Sequence, residues 1–284
     1  MLVGVVSTAP STWRFVLTGC GTSHGNPLWG LESWWSTDPK DRRRRSGAAL
    51  LGPLDEVVLF DAGPDLAHQC TDPLRTWDGR SYPADCLVRC DAVLLSHCHA
   101  DHCHGLNDLR HLNRLMAGAS IPIYGNGSHL DELRQMFPYC FGAYEEAYRH
   151  ARPALELVPV EDGRQVTVAD LPVTAVAMSH GPGGRTTGWR CGSLGYLTDL
   201  KELPTEAEAV LAGLDLLVLS MLREKPHPTH LSWDEAQAVI ARLKPRRTVL
   251  THMAPEVRWA DWQARLPEGV AMGWDGWTTT VQMP

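Results

Sequence analysis

The sequence contains no run of about 18 apolar residues, the length that a membrane-spanning helix requires. The N-terminal MLVGVVSTAPSTW has only a short apolar stretch with no basic residue ahead of it, which makes a poor secretory signal. The eight cysteines (20, 70, 86, 90, 98, 103, 140 and 191) form no CxxC pair and no framework spacing. In a chain of 284 residues they read as reduced, buried small side chains rather than four disulfides. Together these absences point to the cytoplasm and away from membranes. There is no repeat of 20–50 residues and no low-complexity linker, so one domain spanning residues 1–284 is the simplest organisation. Net positive charge is lacking too. The formal charge of −7 argues against a broad nucleic-acid surface, with one local exception in the run Arg42-Arg43-Arg44-Arg45.

What is present is a chain that is 44% hydrophobic, enough for a full core, with eleven tryptophans. Trp29, Trp34 and Trp35 crowd the stretch before the arginine run. Short apolar segments at 13–18, 47–51, 56–60, 92–95 and 121–124 predict strands, as do 165–178, 193–198, 215–219, 247–251 and 276–282. Helical periodicity falls at 104–116, 128–136, 204–212 and 233–243. The last begins on a capping box, Ser232 with Glu235 three residues on. This pattern predicts a layered α/β fold with mixed sheets and outer helices.

The chemistry concentrates in Ser96-His97-Cys98-His99-Ala100-Asp101-His102, which follows a buried-looking strand and precedes a helix. On extended backbone alternate side chains share a face, so His97 and His99 can grip one metal together. The turn towards the helix swings Asp101 and His102 to another side of the loop, where they can serve a second ion. Imidazole and carboxylate suit Zn²⁺, Mn²⁺ or Fe²⁺ without choosing among them.

These residues resemble the metallo-β-lactamase superfamily, and the resemblance runs almost end to end. Phe60-Asp61-Ala62-Gly63 is similar to its first motif, His97 to His102 to its HxHxDH motif, and Met178-Ser179-His180 to its third. Tyr196-Leu197-Thr198-Asp199 and Leu250-Thr251-His252 are similar to the last two. The resemblance implies a four-layer αβ/βα sandwich with two mixed sheets. It also implies two divalent ions, one on His97, His99 and His180 and the other on Asp101, His102 and His252. Asp199 would bridge them and Asp61 would hold the histidine loop from behind. Such a pair lowers the pKa of a bridging water to give hydroxide near neutral pH, with Asp101 orienting it or taking its proton.

Three features bear on the bond that is cleaved. Thr18-Gly19-Cys20-Gly21-Thr22-Ser23-His24-Gly25-Asn26-Pro27 resembles the opening loop of the phosphodiesterase branch, and especially of the phosphoribosyl 1,2-cyclic phosphate phosphodiesterases of phosphonate catabolism. Leu266-Pro267-Glu268-Gly269 and Gly273-Trp274-Asp275-Gly276 are similar to that group as well. Glycines there permit unusual backbone angles and expose N–H groups, and Ser23 is a candidate substrate contact. His230, in His227-Pro228-Thr229-His230, stands where that branch has a histidine that protonates the leaving oxygen; His227 is the weaker candidate. Arginine holds phosphate through paired hydrogen bonds. Alternate residues of the run 42–45 point opposite ways on a strand, so at most two can face a site, with Arg44 the candidate.

One departure stands out. The phosphonate-pathway enzymes carry a structural zinc on three cysteines of the opening loop and a histidine after the last ligand. Here the corresponding stretch is Leu31-Glu32-Ser33-Trp34-Trp35-Ser36, and Pro255 follows His252 by three residues. No structural zinc is expected, with tryptophan packing ordering the loop instead.

The leading reading is a phosphodiesterase acting on a small, cyclic or open phosphorylated molecule. A ribonuclease Z-like or nucleotide phosphodiesterase is the nearest rival. Ribonuclease Z carries a long arm between the third histidine and the bridging aspartate, and His180 and Asp199 are 19 residues apart, too close to hold it. A lactone or thioester hydrolase needs the same ions but neither the opening loop nor His230. A non-enzymatic metal- or ligand-binding role, as in the pyrroloquinoline-quinone biosynthesis branch, is the third class. Relatives commonly form homodimers, and nothing in the sequence demands one.

Overall fold

A computed structural model describes residues 11–32, 35–76, 85–141 and 151–283. In chain order the strands are β1 (Ser11–Gly19), β2 (Gly47–Leu51), β3 (Val57–Phe60), β4 (Ala92–Leu94), β5 (Ile121–Gly125), β6 (Leu155–Pro159) and β7 (Gln165–Val168). There follow β8 (Leu171–Ser179), β9 (Arg185–Cys191), β10 (Leu194–Leu197), β11 (Leu216–Ser220), β12 (Arg247–Thr251), β13 (Val270–Met272) and β14 (Thr278–Met283). The helices are α1 (Leu66–Thr71), α2 (Ala100–Cys103), α3 (Leu109–Leu115), α4 (Gly127–Met136), α5 (Pro138–Phe141), α6 (Thr205–Val210), α7 (Trp233–Leu243) and α8 (Trp259–Gln263).

Two mixed sheets result. One has the order β14-β1-β2-β3-β4-β5-β6 and the other β13-β12-β11-β10-β9-β8-β7. Each changes from antiparallel to parallel pairing at one strand. In the first sheet that strand is β3, antiparallel to β2 and parallel to β4. In the second it is β10, antiparallel to β9 and parallel to β11.

Alternation along the strands supplies the layers. Val58 and Phe60 of β3 join Phe15, Leu17, Trp189 and Tyr196 in the larger core between the sheets. Val57 and Leu59 of the same strand turn the other way, against Leu66, Leu106, Leu109 and Leu130 from the helical side. Helix α7 buries Ala236, Val239 and Leu243, a three-and-four spacing that makes one apolar stripe. The predicted sandwich of two mixed sheets with outer helices is the fold observed.

The segment expected as one strand over 165–178 is instead the hairpin β7–β8, with Gln165 opposite Thr174 and Val168 opposite Leu171. Its turn residues Ala169 and Asp170 have φ of +47° and +64°, the left-handed pair of a two-residue hairpin. Neither is the glycine or asparagine that normally signals such a turn, so the run read as continuous. The helix expected over 104–116 starts as a 3-10 turn, Leu106–Asp108, before α3. Strands β6, β9 and β13 were not anticipated: LELVP and RTTGWRC mix polar and apolar residues without clean alternation, and VAM is only 3 residues long. Trp34 and residues 1–10, most of the segment read as a poor secretory signal, lie outside the described residues.

Candidate metal centre

The strand ends converge. Asp61 follows β3, the loop from Leu95 to His99 follows β4, and His180 follows β8. Asp199 follows β10 by two residues, and His252 follows β12. Asp61, Asp199 and His252 have φ of +63°, +52° and +57°, a left-handed backbone that turns each side chain sharply out of its strand. Below them Phe60 and Tyr196 stack between the sheets with ring centroids 4.5 Å apart. Thr187 N donates to Ser96 O at 2.9 Å, tying the second sheet directly to the histidine loop.

Close backbone approach fixes that loop. A Cβ on Gly63 would lie 2.0 Å from Asp101 O, and one on Gly105 would lie 1.9 Å from Gly63 O, so neither position admits a side chain. Ala62 N donates to His102 O and Gly105 N to Ala62 O, at 2.8 and 2.7 Å. Asp61, 3% exposed, accepts from Ser96 N (2.7 Å) and Ser96 Oγ (2.9 Å) on its two oxygens, and pairs with His102 Nδ1 at 2.7 Å.

Among the described residues, four sets of three side chains bring ligand atoms within 4.8 Å of one another: His97, His99 and His180; His97, His102 and Asp199; Asp101, His102 and His252; and His180, Asp199 and His230. His102 and His180 are oriented from behind. Asp61 on Nδ1 leaves His102 Nε2 facing inward, 3.1 Å from an oxygen of Asp101 and 3.1 Å from one of Asp199. Thr229 O on Nδ1, at 2.7 Å, leaves His180 Nε2 3.8 Å from Asp199 Oδ1. His252 lies between the hydroxyls of Ser46 (2.8 Å from Nδ1) and Thr22 (3.2 Å from Nε2), with Nδ1 3.2 Å from Asp199 Oδ2. Thr198 Oγ1 donates to Asp199 Oδ2 at 2.8 Å.

The electrostatics call for cations. Burial pushes His97, His180 and His252 below the ordinary imidazole value, which favours neutral rings with a free lone pair. Burial would lower His102 as well, but Asp199, Asp101 and Asp61 together hold it well above that value. Burial would raise Asp199 and Asp101, yet the histidines around them hold both below the usual carboxylate range. Buried nitrogens on His97 (Nε2), His102 (Nε2) and His230 (Nδ1) lack hydrogen-bond partners. Lone pairs converging on buried carboxylates are the donor set of a divalent centre, and the residues present fit one.

His230 stands beside this cluster. Its Nδ1 is 3.7 Å from Asp199 Oδ1, and its ring is 4.7 Å from that of His180 and 4.8 Å from that of His252. His227 lies behind it, 5.3 Å ring to ring, with Nδ1 turned to Thr229 N and Oγ1.

The N–H groups of the opening loop, expected to be exposed, are largely taken up within the fold. Cys20 N donates to Asp275 Oδ1, Gly21 N to Arg44 O, Thr22 N to Met253 O and Asn26 N to Arg43 O, so these N–H groups are already occupied. Gly21 is glycine because a Cβ there would meet Arg44 O at 2.9 Å. Ser23 is exposed at the tip, its hydroxyl 3.2 Å from His24 Nδ1. The side chain of Arg44 donates to Asp72 O and that of Arg45 forms a two-point pair with Asp65, so both are engaged within the fold rather than with the cluster. Trp35 Nε1 donates to Leu28 O, but Trp29 and Trp35 are exposed rather than packed; Lys40 lies over Trp259 and Trp274.

Sequence reasoning missed Ser46, Thr22, Ser96 and the Thr229 carbonyl. Ser96 adjoins the histidine motif, but Thr22 and Ser46 meet His252 across 230 and 206 residues and carry no local signal.

Residues 56–253 match the family described as the beta-lactamase superfamily domain. The chain belongs to that superfamily. A solved diphosphatase of the PhnP family is 30% identical to it, covers 97% of this chain and 99% of its own, and superposes with a TM-score of 0.82. Zn(2+)-bound PqqB from Methylobacterium extorquens shares the fold at 18% identity, covering 94% of this chain and 99% of its own with a TM-score of 0.70. The octanoyltransferase of Porphyromonas gingivalis (strain ATCC BAA-308 / W83) is 30% identical over 269 residues, which are 93% of this chain. This chain spans 50% of the length of that curated relative. The chain is thus a beta-lactamase superfamily member that carries a histidine–aspartate cluster able to hold metal.

Proposed function

We propose that this chain is a dinuclear phosphodiesterase acting on a small phosphorylated molecule. The observation that carries the reading is His230, an inward-facing ring with an unpartnered Nδ1 beside Asp199, a group that the ligand set itself does not require. His97, His99 and His180 would hold one ion and Asp101, His102 and His252 the other, with Asp199 between them. When bound, two divalent ions make water acidic enough to attack at neutral pH and offset charge on the phosphoryl oxygens; zinc, manganese and iron all suit this donor set.

The chain's own residues do the rest. Asp101 orients the attacking water, and Asp61 and Ser96 keep His102 turned inward. His230 delivers a proton to the departing oxygen. Burial and the neighbouring His252 push its ring down to about 3. An anionic phosphodiester against the ring supplies the opposing charge and the acceptor that bring a proton to it. Between His180 and Asp199 the chain spends its length on β9 and β10, which supports a small substrate over transfer RNA. The eight cysteines are unpaired, in keeping with a cytoplasmic enzyme.

With Mn²⁺ or Zn²⁺ the protein is expected to cleave bis(p-nitrophenyl) phosphate faster than p-nitrophenyl acetate or a lactone; the reverse order refutes the phosphodiesterase reading. The PhnP-family diphosphatase supports a second reading, attack on a phosphoanhydride. Faster turnover of a diphosphate-bridged substrate than of any diester in the same assay would favour it.

A further inference from the structure

We infer that Arg43 and Asp41 are positioning residues that hold His252 in place for metal binding, an inference that rests on His252 being a ligand as proposed above. Arg43 is 2% exposed and among the largest fully buried side chains, although it lies in a run of four arginines that reads as surface. Its Nη2 donates to Asp41 Oδ1 at 2.8 Å, with side-chain exposures of 0% and 4%. Its Nη1 donates to Ala254 O at 3.2 Å, and Nη2 also donates to Val257 O. Asp41 Oδ1 accepts a second bond from Trp259 N at 2.7 Å, and Asp41 O accepts one from Asn26 Nδ2. Arg43 and Asn26 further exchange backbone bonds of 2.9 and 2.8 Å.

The Arg43 guanidinium thus ties the arginine stretch to the chain from Met253 to Trp259, and the backbone of Arg43 together with Asp41 O ties both to Asn26 of the opening loop, three segments far apart in sequence. Each segment bears on His252. The opening loop brings Thr22 Oγ1 to Nε2, and the arginine stretch ends at Ser46, whose Oγ meets Nδ1. The third segment begins at His252 itself, and Met253 N donates to Cys20 O at 2.9 Å. Only arginine offers a planar fork of five donors that can reach a carboxylate and two carbonyls at once. A buried charge with every contact on loops around one ligand is an expensive way to pack a core and an effective way to fix a register.

The test titrates metal-free protein with Co²⁺, following visible absorption and bound stoichiometry to obtain the two stepwise affinities. Arg43→Met combined with Asp41→Asn removes both charges together, so no lone charge is left buried. The double variant should weaken one step about tenfold or more and leave the other unchanged. The weakened step should be the one that His252→Ala abolishes. Arg43→Lys, which keeps the charge but not the fork, should show the same selective loss. Equal weakening of both steps in either variant, or no change in Arg43→Lys, overturns the inference. If His252→Ala leaves both steps intact, the ligand assignment falls; if it removes one and the Arg43 variants remove none, only the positioning role falls.

Discussion

Left-handed backbone at a residue other than glycine costs roughly 1 kcal/mol, and the centre uses it at Asp61, Asp199 and His252. In each case it lets a side chain leave a strand end at an angle that extended backbone does not reach. Asp199 has the most to do with that angle, since its two oxygens face different histidines: Oδ1 looks to His180 and His230, Oδ2 to His102 and His252. Asp199→Ala is therefore expected to lose bound metal and hydrolysis together; full activity with normal metal content by elemental analysis would refute its bridging role. His230→Ala separates the two properties. Metal content should hold while turnover falls on the order of 100-fold or more. An equal fall in metal would make His230 a ligand.

Element by element, the sequence was legible where a local pattern carries the information. Helix α7 begins at Ser232 because Ser232 Oγ accepts from Glu235 N and Glu235 returns a bond to Ser232 N at 2.8 Å, as the spacing of the two residues predicted. The same glutamate pairs with Lys201, so the cap also ties the helix to the segment just after Asp199. Ser232→Ala should lower stability by about 1 kcal/mol in denaturant unfolding. It should lower turnover further than that loss explains, because His230 is two residues away. Unchanged turnover would separate the cap from the site. Patterns failed where the determinant was tertiary. The turn at Ala169 and Asp170 lacks the glycine or asparagine that would announce it, and β9 is held by β8 and β10 rather than by its own alternation.

At the scale of the molecule, the two sheets share one plan: each switches pairing direction at the strand that leads to a buried aspartate, β3 to Asp61 and β10 to Asp199. The clustered side chains were readable because four of them sit in H-x-H-x-D-H spacing and the others follow recognisable strands. The residues that aim them were not, since Thr22, Ser46 and Arg43 reach His252 only through the fold. The cluster also links stability to metal and pH. In the metal-free protein the raised His102 contributes stability that is fully present below about pH 6.5 and is lost as pH rises through its folded-state value. Bound ions displace that proton. Chelation should lower the melting temperature, and the gap between loaded and metal-free protein should widen from about pH 6 to about pH 9. A gap that narrows towards alkaline pH would contradict this account.

The pairing of β14 with β1, Ser11 opposite Met283, has its own consequence for how the chain is made. Strand β1 can take β2 as a partner early in synthesis, but its other edge stays open until the ribosome has added more than 260 residues. For that interval an apolar strand carrying Trp13, Phe15 and Leu17 presents free backbone groups to any neighbouring nascent chain. Strand β14 therefore acts as a late-arriving seal, and chaperone occupancy on ribosome-bound chains should persist until β14 is out.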